Sequence, residues 1–115
     1  GEKWWLNGNQ NIQNFLHNIP QERQTFLRYE DLIGSTEESV KRICDFLGIE
    51  FNNRMLNPYE NNTSASIRGI GDPNIMDHSQ IDSSLADNWK KVVLPQTLSE
   101  ESQKLAESLG YICYE

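Results

Sequence analysis

The chain has 115 residues, 37% of them apolar, and a formal net charge of −7. That length fits one domain or less and is short for an enzyme that must also build a cofactor cleft. The acidic balance argues against general nucleic-acid binding, which needs a basic face. No apolar run approaches the roughly 20 residues of a transmembrane helix, so no membrane partner is expected. The opening GEKWWLNGNQ has no initiator Met and no signal-peptide core. The expectation is a cytoplasmic protein and a piece of a longer chain. Two cysteines, Cys44 and Cys113, are few for a disulfide-stapled secreted domain and are read as reduced packing residues. The sequons at Asn61 and Asn62 then count as chance matches in a polar loop.

In chain order, the spacing of Trp5, Ile12, Phe15, Leu16 and Ile19 predicts a helix over 4–19, ended by Pro20. Gly8 weakens its start, which is expected to fall after that residue. The stretch TFLRY, Thr25 to Tyr29, reads as a buried strand. Ser35 and Glu38 form a capping box, with Glu37 a second anion in the first turn of the next helix. Val40, Ile43, Cys44, Phe46 and Leu47 make its apolar face, expected to pack on the strand, and Gly48 is placed to stop it in a left-handed conformation. From Asn52 to Gln80 periodicity is lost, and a loop of that length is usually functional or disordered. Asp82 or Ser83 can cap a further helix with Leu85, Trp89 and Val92 or Val93 on one side, closed by Pro95. Thr97 and Glu100 suggest a second capping box, and Leu98, Leu105 and Leu109 pack a last helix that ends at Gly110. The fold class expected is mostly α, with one or few short strands; a lone strand needs neighbours that the chain does not obviously supply.

Several residues invite a chemical reading. Arg68, Gly69 and Gly71 could form a flap, its Arg pairing with a phosphate while the glycines let backbone N–H groups approach; the alternative is a solvated turn. Trp89 is read as core, with Lys90 and Lys91 pointing away from its stripe, as solvated charges usually do. His17 is read as structural or solvent-facing. Arg28 and Glu30 flank Tyr29; a buried Arg–carboxylate pair is favoured, with a site-lining Arg28 as the alternative. No metal is implied, because the Cys and His residues lack ligand spacing.

Three segments taken together resemble the C-terminal half of sulfotransferases that use 3′-phosphoadenosine 5′-phosphosulfate. They are LRYEDLIGSTEESVKRICDFLGIEF, GIGDPNIMDHSQIDSSLADNWKKVVLP and LAESLGYICYE. The Gly-Asp-Pro-Asn and Ile-Asp pattern is similar to the bacterial polyketide assembly-line type. The resemblance implies that residues 1–115 are the C-terminal portion of an α/β, P-loop-like sulfotransferase fold, with the N-terminal phosphate-binding half absent. No Gly-x-x-x-x-Gly-Lys loop occurs in the chain. It further implies that Arg68, Gly69, Gly71 and Lys90 bind the donor. His78 would be the base that deprotonates a hydroxyl acceptor, against the bland reading of a polar loop residue. The acceptor could be tethered to a carrier protein, and the other partner would be the remaining half of the enzyme. The isolated chain is expected to be inactive. The competing reading is a non-catalytic helical interaction module, or a truncated relic that binds a partner chain.

Overall fold

A computed structural model of the chain describes residues 1–60 and 79–111. Its elements are helical: α1 (Glu2–His17), α2 (Tyr29–Gly34), α3 (Thr36–Leu47) and α4 (Glu100–Ser108), with 3-10 segments at Gln21–Arg23, Asn53–Leu56 and Ser83–Lys91. The chain divides into two units, Gly1–Thr25 with Val92–Glu115, and Phe26–Lys91.

In the first unit α1 packs on α4. Leu6, Leu105 and Ala106 are buried there, and Ser102 is fully enclosed. Polar side chains close the two ends of the contact. The Glu2 carboxylate accepts from the Ser99 backbone N–H at 2.8 Å and from its hydroxyl at 2.7 Å. Gln13 reaches the Ser108 hydroxyl at 3.4 Å. The Ser99 hydroxyl also accepts from the Ser102 N–H, so Ser99 is the N-cap of α4. The expected Thr97–Glu100 box is therefore displaced by two residues, and Glu100 and Glu101 serve as first-turn charges instead. At its other end Gly110 is left-handed, with φ +86°. The N–H groups of Gly110 and Tyr111 return to the carbonyls of Glu107 and Ala106, each at 2.9 Å, which is the Schellman pattern.

Helix α1 starts before Gly8 and runs through it. The Leu16 carbonyl in its last turn and the Ile19 carbonyl just beyond its end accept from the Gln24 amide at 3.0 and 2.6 Å, so the end of the helix leaves few orphan acceptors. The buried position is Leu6, whereas Trp5, Ile12 and Phe15, expected on the packed stripe, are exposed. The reason is rotational. Glu2, Leu6 and Gln13 share one face, and at about 100° per residue Trp4, Ile12 and Phe15 fall on another.

In the second unit α2 packs on α3 and on the Ser83–Lys91 segment, and α3 packs on Asn53–Leu56. The expected strand over 25–29 is not formed. Arg28 is extended, but Tyr29 already opens α2, no strand occurs among the described residues, and Phe26 is 58% exposed. A strand is defined by its ladder, and the described residues offer no second edge to pair with. Ser35 stands at the N-cap of α3 without a side-chain cap bond. It is also the C-cap of α2, where its N–H donates to the Asp31 carbonyl at 2.9 Å, and that double duty leaves its backbone at φ −138° and ψ 58°. Cys44 and Ser39 are buried on α3, but Phe46 and Leu47 are exposed at 39% and 58%. The expected packed face is thus only half used. Gly48 stops the helix as foreseen, at φ +67°, with its N–H on Asp45 and that of Ile49 on Cys44.

Candidate functional site

The second unit holds a cleft of about 420 Å³. Its walls come from α2, α3, the turn after Asn53–Leu56 and the start of the Ser83–Lys91 segment. Leu32 and Ile33 from α2 form one side together with Thr36 and Val40, which lie four residues apart on one face of α3. Met55 and Leu85 form the other side. The Asn52 side chain caps its 3-10 turn by accepting from Arg54 N–H at 2.9 Å, which fixes Met55 in place. The Met55 thioether accepts from the buried Cys44 thiol at 3.7 Å. Asp82 caps the Ser83–Lys91 segment by accepting from the N–H and hydroxyl of Ser84, at 2.9 and 2.6 Å.

Polar groups sit at the rim. Tyr29 and Tyr59 bring phenol hydroxyls and aromatic faces, and Asp82 and Gln80 bring acceptors and an amide. No Lys or Arg lines the cleft among the described residues. Such a lining suits a flat, largely apolar group with hydrogen-bonding edges, and does not suit a phosphate.

Of the five residues expected to bind or react, Arg68, Gly69, Gly71 and His78 lie outside the described residues, as does Cys113. Lys90 is described. Its ammonium is 2.6 Å from Asp87 Oδ1 and 5.8 Å from the Trp89 ring centroid. Lys91 donates to the Asn88 side chain at 3.1 Å. Trp89 is 36% exposed, not core. The 83–91 run is 3-10, with about three residues per turn, so Leu85 and Trp89 are rotated roughly 120° apart and share no stripe. In an α-helix the same spacing would have aligned them.

Arg28 pairs with Asp31. Nε donates to Oδ2 at 2.8 Å and a terminal nitrogen to Oδ1 at 2.6 Å, a two-point grip that is partly exposed. The Arg28 hydrogen bonds, reinforced by the charges of Arg28 and Arg42, hold the Asp31 carboxyl below the usual carboxylate range. In the first unit, hydrogen bonds from Ser102 and Ser99 lower the Glu2 carboxyl to about 2. No cluster of His, Cys, Asp and Glu suited to a metal ion occurs among the described residues, nor is any described helix long and apolar enough to cross a membrane.

A sulfotransferase family model matches residues 2–53. The sulfotransferase domain from the curacin biosynthetic pathway is 41% identical, with a TM-score of 0.86 over 96% of this chain. The chain is similar to sulfotransferase domains. A second solved relative, the sulfotransferase domain from the Synechococcus PCC 7002 olefin synthase, is 35% identical, with a TM-score of 0.88 over 98% of this chain. The chain covers 41% and 40% of those two chains, about two fifths of their length. No curated protein matches it. The assembly-line likeness read from the sequence therefore stands, and the comparisons favour it over the interaction-module reading.

The cleft was missed at the sequence level. Tyr29 and Tyr59 are 30 positions apart, and nothing in their spacing joins them. The available signal was Tyr29, expected as the last residue of a strand, which instead opens α2.

Proposed function

We propose that residues 1–115 are the C-terminal portion of an α/β, P-loop-like sulfotransferase domain. That domain transfers a sulfuryl group from 3′-phosphoadenosine 5′-phosphosulfate to a hydroxyl acceptor, with a carrier-tethered acceptor the first class to test. The observation that carries this is the 41% identity over 96% of the chain to a solved sulfotransferase domain. The donor has an aromatic base at one end and phosphates at the other, and the described residues suit the two ends unequally. The cleft fits the base: its apolar walls take a flat ring, and Tyr29, Tyr59, Gln80 and Asp82 can meet the ring edges. The phosphates need cations. Lys90 is the described candidate, and its exposed pair with Asp87 is of a kind worth about 0.2–1 kcal/mol, weak enough to exchange for a phosphate. Arg68, Gly69 and Gly71 are proposed beside it, with the rest of the grip in the three fifths of the domain that this chain does not span.

In the transfer the acceptor oxygen bonds to sulfur as the bond from sulfur to the bisphosphate oxygen breaks. His78 is proposed to take the acceptor proton, since imidazole does so near neutral pH. Cations balance the charge on the departing bisphosphate.

The test is a titration of the chain with adenosine 3′,5′-bisphosphate, followed by methyl NMR. Shifts should concentrate on Leu32, Ile33, Val40 and Leu85. The absence of shifts there at millimolar ligand would overturn the cleft assignment. A sulfuryl-transfer assay on the same chain should give no turnover, and robust transfer would overturn the assignment of the chain as a partial domain.

A further inference from the structure

Helix α2 supplies Tyr29, Leu32 and Ile33 to the cleft, yet it has six residues. A helix that short does not hold itself in water, so its direction must be imposed from outside. The ties lie away from the cleft. Asp31 takes the two-point grip of Arg28 on its carboxylate. Its backbone carbonyl accepts from the hydroxyl of the buried Ser39 at 3.0 Å, at the end of the first turn of α3. One turn further along α3, Arg42 donates to the Phe26 carbonyl at 2.5 Å and so holds the segment that leads into α2. None of Arg28, Asp31 and Arg42 lines the cleft.

We infer that Arg28, Asp31 and Arg42 are positioning residues for the cleft: they aim α2 so that Tyr29 and Ile33 face the bound ligand. The inference rests on the reading that the cleft receives the donor's base. A bare ion pair at this exposure would do little for global stability. Its two-point geometry, joined to Ser39 and Arg42, fixes direction instead.

The sign of one substitution separates positioning from simple electrostatics. Asp31→Asn removes a negative charge, so charge alone predicts tighter binding of an anionic nucleotide. Positioning predicts weaker binding, because Arg28 loses its grip and α2 drifts. The experiment uses the full chain and three variants: Asp31→Asn, Arg42→Gln, and the exchange Arg28→Asp with Asp31→Arg. For each, three quantities are read: the Ile33 methyl resonance without ligand, the affinity for adenosine 3′,5′-bisphosphate, and the urea midpoint. Asp31→Asn and Arg42→Gln should each weaken binding by about threefold to tenfold, the scale of coupling between neighbouring side chains. They should move the free Ile33 resonance while leaving the midpoint close to that of the unaltered chain. The exchange should recover most of the affinity. Unchanged affinity and an unmoved Ile33 resonance overturn the inference, as does tighter binding by Asp31→Asn. If the unaltered chain shows no cleft shifts, the donor-binding reading fails, and the Ile33 resonance in the variants still decides whether the three residues aim α2.

Discussion

Replacing Gly48 with Ala isolates one energy term. Gly48 ends α3 at φ +67°, and no atom lies within 4 Å of the position a Cβ would take. Steric conflict with neighbours is therefore excluded, and the two N–H bonds of the Schellman end, on Asp45 and Cys44, can survive. What remains is the cost of a left-handed backbone for an L-residue, about 1–2 kcal/mol. The narrower unfolded ensemble of Ala offsets about 0.4–1 kcal/mol of it. A net loss near ~1 kcal/mol follows, which for a chain of this size lowers the thermal midpoint by roughly 4 °C. Gly8→Ala is the matching control. Gly8 also has open space around its Cβ position, but it lies inside α1 and is not among the left-handed glycines. There the same change should stabilise by about 0.5–1 kcal/mol. Circular dichroism melts of the two variants should move in opposite directions. If Gly48→Ala melts at or above the parent, backbone strain is not what Gly48 relieves. If both variants move down, the open space assigned around Gly8 is wrong.

Glu2, lowered from 4.5 to about 2 by the Ser102 and Ser99 hydrogen bonds, contributes stability that is fully present above pH 4.5 and is lost as pH falls through about 2. Glu2→Gln should flatten that part of the stability curve when melts are compared across the window; parallel curves for the two proteins would refute it. Phe46 is 39% exposed, so Phe46→Ala should cost well below the about 3–5 kcal/mol of a fully buried Phe, as read by urea denaturation. Ile33→Ala, at 8% exposure beside the cleft, should cost more, about 2–4 kcal/mol, and the reverse order would contradict the packing described.

Local signals in the sequence located most helix ends because the ends depend on a few residues each. Gly48 and Gly110 were identifiable as stops, since left-handed φ strongly favours glycine at both. Facing was less legible. Trp5, Ile12 and Phe15 recur at helical spacing, but which face of α1 is covered depends on Glu2, Leu6 and Gln13 meeting α4, which lies more than 80 residues downstream. Trp89 was misplaced because apolar spacing does not distinguish an α-helix from a 3-10 run. The Ser35 capping box failed because two helices share that residue, and a pattern rule treats each helix alone. At the candidate site, the likeness to sulfotransferases was carried by ordered segments of sequence. The cleft was not, because Tyr29, Met55 and Leu85 come together through packing that no local pattern encodes.

The Glu2–Ser99 contact also orders events in time. It joins residues 97 positions apart, and the unit it closes is assembled from both ends of the chain. The other unit is one continuous stretch, Phe26–Lys91. During synthesis α1 emerges before α4 and must wait for it, while α2 and α3 have their mutual contacts available as soon as they appear. Closing a loop of that length costs about 4 kcal/mol of chain entropy if the intervening residues are loose. Prior folding of 26–91 shortens the effective loop and reduces that cost. Helix α1 is therefore made before α2 and α3 yet gains its partner after they gain theirs, and the exposed Trp4 rides on a helix that spends that interval without α4.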